Sequence, residues 1–184
     1  MLRQQFACAL ILTIAFVAAA SPSPAASSTS AMVAQIDTAC AKAEAMTRSR
    51  PSAIFARTDT MTMAHDPWHK ISESTYHGLV KTNNTTDDLA LIWMNGTAVS
   101  FVQLASRTPQ GKSLASYCYR PDGTLAMVAQ DFYHPVQGYK RRQTIYVSRH
   151  GTVLVRERAT TAGDPMVWAD VHELPFYHAL GNPT

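Results

Sequence analysis

From Leu89 onward the apolar residues fall into short runs separated by turn residues, which is the pattern of an antiparallel sheet. The runs LALIWM and AVSFVQLAS flank Asn95-Gly96, a pair whose residues both tolerate positive φ. The runs LASYCYR and TLAMVAQDFYH flank Pro121-Asp122-Gly123, where Pro sets the turn and Gly accepts the left-handed position. The runs QTIYVSR and TVLVRERAT flank His150-Gly151, a weaker form of the same device. Three successive hairpins predict a six-stranded meander. A further strand over Ala53–Thr62 brings the count to about six or seven.

A helix precedes the strands. Val33, Ile36, Cys40, Ala43 and Thr47 recur at steps of three and four and therefore share one stripe. Ser30 is a suitable N-cap, and Pro51 stops the helix near Arg50. The preceding stretch 21–30, SPSPAASSTS, lacks periodicity and reads as a flexible spacer.

In the first hairpin a two-residue turn at Asn95-Gly96 sets Trp93 opposite Ala98 and Ile92 opposite Val99. Leu89, Leu91, Trp93 and Val102 then share one face, and Ala90, Ile92, Met94, Val99 and Phe101 share the other. Both faces are apolar, so each needs a cover. The N-terminal helix can supply one, and the other calls for sheet curvature, the C-terminal tail or a bound apolar ligand. The C-terminal segment Met166–Leu180, with Trp168, Val171, Leu174, Phe176 and Tyr177, is apolar enough to dock as the other, with a helical turn near Phe176–Leu180. The expected fold is α+β: a helix packed on a curved antiparallel meander with a docked tail. In shape alone, such a half-barrel resembles the architecture that periplasmic lipid carriers use around an apolar ligand.

The N-terminus adds a compartment. Met1–Ala20 carries one positive charge at Arg3, an apolar stretch from Phe6 to Val17, and Ala18-Ala19-Ala20 before Ser21. That layout reads as a secretory signal peptide. Its apolar core is too short for a membrane-spanning helix, so no integral membrane protein is expected. A signal peptide at 1–20, the spacer at 21–30 and one α+β domain over 31–184 account for the chain. Cleavage removes Cys8 and leaves Cys40 and Cys118, the expected disulfide in an oxidising compartment, joining helix to sheet.

Charge is sparse, at 16% of residues, but unevenly placed. Residues 112–158 carry 8 basic and 3 acidic side chains, whereas residues 159–184 carry only Asp164, Asp170 and Glu173. In the last hairpin Arg141 falls opposite Thr160, Gln143 opposite Arg158 and Ile145 opposite Arg156, so Arg141, Arg156 and Arg158 share a face near Lys140 and Arg142. Clustered guanidinium groups suit bidentate recognition of carboxylates or phosphates. The cluster is a candidate contact for an anionic envelope component. It is equally the charge that protects an edge strand.

Catalytic signatures are sparse. His65-Asp66-Pro67-Trp68-His69, with His77 nearby, is the densest set of potential metal ligands, but Pro67 argues against a shared helical face and the segment does not match H-E-x-x-H. The chain has no G-x-S-x-G elbow, no G-x-G-x-x-G and no Walker-type loop. Glu73, Asp131 and Glu157 show no spacing that suits glycoside chemistry. No cofactor is implied, no metal site is assigned, and export makes nucleic acid a poor partner. The reading that emerges is an exported, non-catalytic binding or interaction module for an apolar small molecule or an envelope partner. The alternative is a small secreted hydrolase or metal-dependent enzyme centred on His65–His77.

Overall fold

The computed structural model describes residues 24–58, 67–82, 87–108, 111–161 and 168–177. The export segment Met1–Ala20, His65 and Asp66, and residues 178–180 of the tail lie outside the described residues. The strands are β1 (Ala53–Thr58), β2 (His69–Lys70), β3 (Asp87–Asn95), β4 (Ala98–Thr108), β5 (Gly111–Tyr119), β6 (Leu125–Tyr133), β7 (Lys140–Val147) and β8 (Val153–Thr160). They form one antiparallel sheet in the order β2-β1-β3-β4-β5-β6-β7-β8, which is not closed. Among the described residues the α-helices are α1 (Pro24–Ala45) and α2 (Glu73–Lys81). The arrangement is α+β, as the pattern predicts, with eight strands. The extra strand, β2, has two residues and is too short to leave a period in the sequence.

Two departures from expectation concern α1 and α2. The helix starts at Pro24 rather than after Ser30, so most of the expected spacer is helical. Proline is tolerated in the first turn because its missing N–H has no helical partner there, and the Ala/Ser run that follows is compatible with helix. Helix α2 occupies a stretch in which no helix is expected. Ser72 caps it by accepting from the Thr75 backbone N–H at 3.1 Å, Glu73 occupies the first turn and Lys81 the last.

All three hairpins share a feature that determines which side chains face which layer. Each carries a β-bulge just after its turn, at Ser100, Ala126 and Leu154. In the first hairpin Asn95 pairs with Ala98, but beyond Ser100 Trp93 pairs with Phe101 and Ile92 with Val102. One extra residue exchanges the two faces of β4 relative to the expected register. Phe101 therefore joins Trp93, and Val102 joins Ala90 and Ile92. In the last hairpin the same bulge compensates a longer turn. Ser148 N–H bonds to the Thr152 carbonyl at 2.8 Å, which closes a three-residue loop, and the pairs Arg141–Thr160, Gln143–Arg158 and Ile145–Arg156 appear as expected.

Helix α1 covers one face. Ile36 and Cys40 are buried against Trp93, Phe101, Cys118, Ala126 and Tyr146, with Val33, Ala43 and Met46 packed around them. The Cys40–Cys118 disulfide is formed, with a Cα–Cα distance of 5.6 Å, and pins the helix to β5. Both half-cystines are buried, which is compatible with an oxidising compartment. The Tyr146 hydroxyl donates to Asp37 Oδ1 at 2.9 Å, and burial pushes this phenol up to about 12, so it remains a donor. The Trp93 indole N–H donates to the Ser49 carbonyl at 3.1 Å and holds the chain leaving α1.

The tail covers the other face. Val171 and Leu174 are buried with Ile92, Val102, Tyr117, Val128 and Ile145, and Phe176 packs edge-on to Tyr117 at 5.7 Å between ring centroids. Gln143 Nε2 donates to the Ala169 carbonyl at 2.9 Å, and the Tyr119 hydroxyl donates to the Phe176 carbonyl. A helical turn of the tail lies at Val171–Glu173, where Asp170 caps it by accepting from the His172 N–H; the turn expected near Phe176–Leu180 falls largely outside the described residues. Pro175 and the left-handed φ of 65° at Phe176 then turn the chain away from helix.

Two predictions follow from these covers. Replacing Cys40 and Cys118 by Ala reopens a 78-residue separation. The chain-entropy model puts that at about 4 kcal/mol, so thermal unfolding should drop by roughly 10 °C in calorimetry. The tyrosine pair under the tail should respond in opposite ways. The buried Tyr117 hydroxyl has no partner among the described residues, whereas that of Tyr119 holds the tail. In urea denaturation Tyr117→Phe should be neutral or stabilising, and Tyr119→Phe should cost about 1 kcal/mol.

Candidate functional site

Arg141, Arg156 and Arg158 do share a face, and it is the face the tail covers. Arg141 is only 9% exposed. Its guanidinium lies 5.2 Å from the Phe132 ring centroid and 5.1 Å from that of Trp168. The Arg158 guanidinium lies 5.0 Å from the same Trp168 ring. Cation–π stacking thus directs two of the three arginines at the tail. Arg156 acts on the tail through charge, helping to hold the Asp170 carboxyl below its usual range after the stronger effect of hydrogen bonds from His172.

The histidines are placed separately. His69 lies exposed on the edge strand β2, opposite Ala56, and His77 lies on α2 with Nε2 3.8 Å from Glu73. His65 is outside the described residues. Among the described residues no three His, Cys, Asp or Glu side chains stand together as a metal-binding group. Asp131 is paired with Arg142, and Glu73 also pairs with Arg50. Among the described residues no helix is long and apolar enough to cross a membrane.

Among the described residues, three grooves with mainly apolar walls are to be weighed. Two flank α1. One, of about 740 Å³, lies between Ala34, Thr38 and Met46 and the β3–β4 turn at Asn95 and Ala98. The other, of about 470 Å³, lies between Met32 and Ile36 on the helix and Arg120, Arg149 and the β8 residue Leu154. Its arginines are already engaged. Arg120 donates to the Leu125 and Val147 carbonyls, and Arg149 lies 3.6 Å from Asp122. Trp93 and Phe101 are buried beneath α1 and line none of these grooves.

The third groove, of about 620 Å³, lies on the part of the helix-side face that α1 does not reach. Pairing aligns Ala105, Leu114, Asp131, Arg142 and Ala159 in one row across β4–β8. Lys112, Tyr133 and Lys140 form the next row. The row beneath α1, containing Phe101, Cys118 and Tyr146, lies four residues away along the strands, roughly 13 Å. The floor of the groove is apolar, with Leu114 45% exposed and Tyr133 39%. Arg142 holds Asp131 through two bonds, Nε to Oδ1 at 2.7 Å and Nη2 to Oδ2 at 3.2 Å. Lys112 and Lys140 stand on either side of Tyr133, and Lys140 Nζ lies 6.0 Å from the Tyr133 ring centroid. Apolar floor and ammonium groups together suit a molecule with a hydrocarbon part and an anionic end.

Leu114 and Lys112 are not among the sequence-derived site residues. The sheet pattern places Lys112 and Leu114 at the start of β5, but only the cross-strand register brings them beside Tyr133 and Lys140. No protein-family model, no curated protein and no solved structure matches this chain.

Proposed function

We propose that this protein is an exported, non-catalytic binding module whose groove over β4–β8 takes an anionic amphiphile, a hydrocarbon chain ending in a carboxylate or phosphate. One observation carries the reading: exposed Leu114 and Tyr133 form an apolar floor bordered by Lys112, Lys140 and the Asp131-paired Arg142. Groove volume is within the range of small-molecule sites. The secretory layout of Met1–Ala20 and the buried disulfide support export. This reading unites the two partners that the sequence suggests, an apolar molecule and an anionic envelope component, in one ligand, and it moves the contact from the arginine face to the opposite side of the sheet.

Oleate titrated into the protein from Ser21 onward, followed by calorimetry, tests the assignment. Burying a leucine contact is worth roughly 1.5–3 kcal/mol, so Leu114→Glu should weaken binding at least tenfold. Lys112→Ala with Lys140→Ala should weaken it less and remove its salt dependence. Arg156→Ala should leave it unchanged. Oleate binding that ignores Leu114→Glu, or the absence of binding to the unaltered protein, would refute the proposal.

A further inference from the structure

The β6–β7 loop, at the end of the same groove, carries Val136, which is 85% exposed. A single exposed valine is ordinary on a protein surface. Here it stands on a stiff support. Gly138 N–H bonds back to the His134 carbonyl at 2.9 Å, with Gly138 at a left-handed φ of 69°. The Gln137 N–H donates to His134 Nδ1 at 3.1 Å, and the His134 N–H to the Tyr139 carbonyl at 3.1 Å. The His134 ring stacks on buried Tyr139, with centroids 5.3 Å apart, and Tyr139 packs in turn against Phe132. The loop therefore presents its apolar tip with little conformational entropy left to lose on contact.

The surroundings of the tip favour one kind of partner. Tyr133 and Lys140 are the residues from which the loop leaves and to which it returns, and Lys112 pairs with Tyr133. An exposed aliphatic tip, a tyrosine at its base and a lysine on either side of that tyrosine combine what an anionic bilayer surface takes up. The tip enters the acyl boundary, the phenol rests at headgroup level and the lysines meet the phosphates. We infer that the protein docks on anionic membrane through this end of the sheet, with Val136 inserted and Lys112 and Lys140 against the headgroups. Asp131, the acidic side chain in that array, is already neutralised by Arg142. The inference deepens the groove reading, because docking in this pose places the groove mouth against the pool of amphiphiles that it is proposed to hold.

Co-sedimentation with phosphatidylglycerol/phosphatidylcholine vesicles, compared with pure phosphatidylcholine, tests the inference. The unaltered protein should bind the mixed vesicles, lose most of that binding as salt is raised, and bind the neutral vesicles at least tenfold more weakly. Val136→Asp should reduce partitioning about tenfold or more, and Val136→Trp should increase it several-fold. Both substitutions lie at an exposed site, so their melting curves should overlay that of the parent. Lys112→Glu with Lys140→Glu should abolish the vesicle response. Soluble oleate binding should survive Val136→Asp, whereas the uncharged Leu114→Asn should weaken oleate and leave vesicle binding intact, so failure of the docking pose and failure of the groove reading are separate results. Equal binding to neutral vesicles, or indifference to both Val136 substitutions, would overturn the docking pose.

Discussion

The central strands bury side chains on both of their faces, and that double burial requires two covers. Tyr117 and Cys118 are neighbours on β5 and both are almost fully buried, one beneath the tail and the other beneath α1. The same holds for Phe101 and Val102 on β4 and for Ile145 and Tyr146 on β7. An antiparallel sheet with one wet face would leave alternate residues in water. Neither cover is a second sheet or a large helical layer. One is a single helix with two buried side chains, Ile36 and Cys40, and the other is a short apolar segment. Few contacts per cover explain why each is fastened by specific bonds: a disulfide and the Tyr146–Asp37 bond on one side, and the Tyr119 and Gln143 bonds to tail carbonyls on the other.

The need for both covers was legible in the sequence. The apolar run Leu89–Met94 has no alternation, Cys40 lies on the apolar stripe of its helix, and Val171 and Leu174 are too apolar for solvent. The turn residues were equally plain: Gly123 and Gly151 take the left-handed conformations that their turns require. What the pattern could not show was Ser100. A bulge adds a residue without altering composition or period over so short a span, yet it exchanges the faces of β4. Helix α2 had a readable signal in Ser72, Glu73 and Lys81, but its lack of a buried residue deprives it of the apolar stripe by which helices are usually recognised.

The candidate site was legible only in part. The basic excess of residues 112–158 is real, but the fold distributes it to different tasks. Arg120 satisfies two carbonyls, Arg141 and Arg158 face Trp168, and Arg142 holds Asp131. A sequence count treats these charges alike. Once the arginines are placed, the lysines at 112 and 140 acquire a significance that their number alone did not suggest. The arginine face that seemed to offer itself to a partner is where the protein binds its own C-terminal segment.

Helix α1 is fastened in its C-terminal half. Cys40 is covalently bound to β5, Asp37 is held one turn away, and the two grooves beside the helix lie to either side of that attachment. Gln35 and Ala39 line both of them. The same two side chains therefore wall both spaces, so a bulkier residue at either position changes the two clefts together.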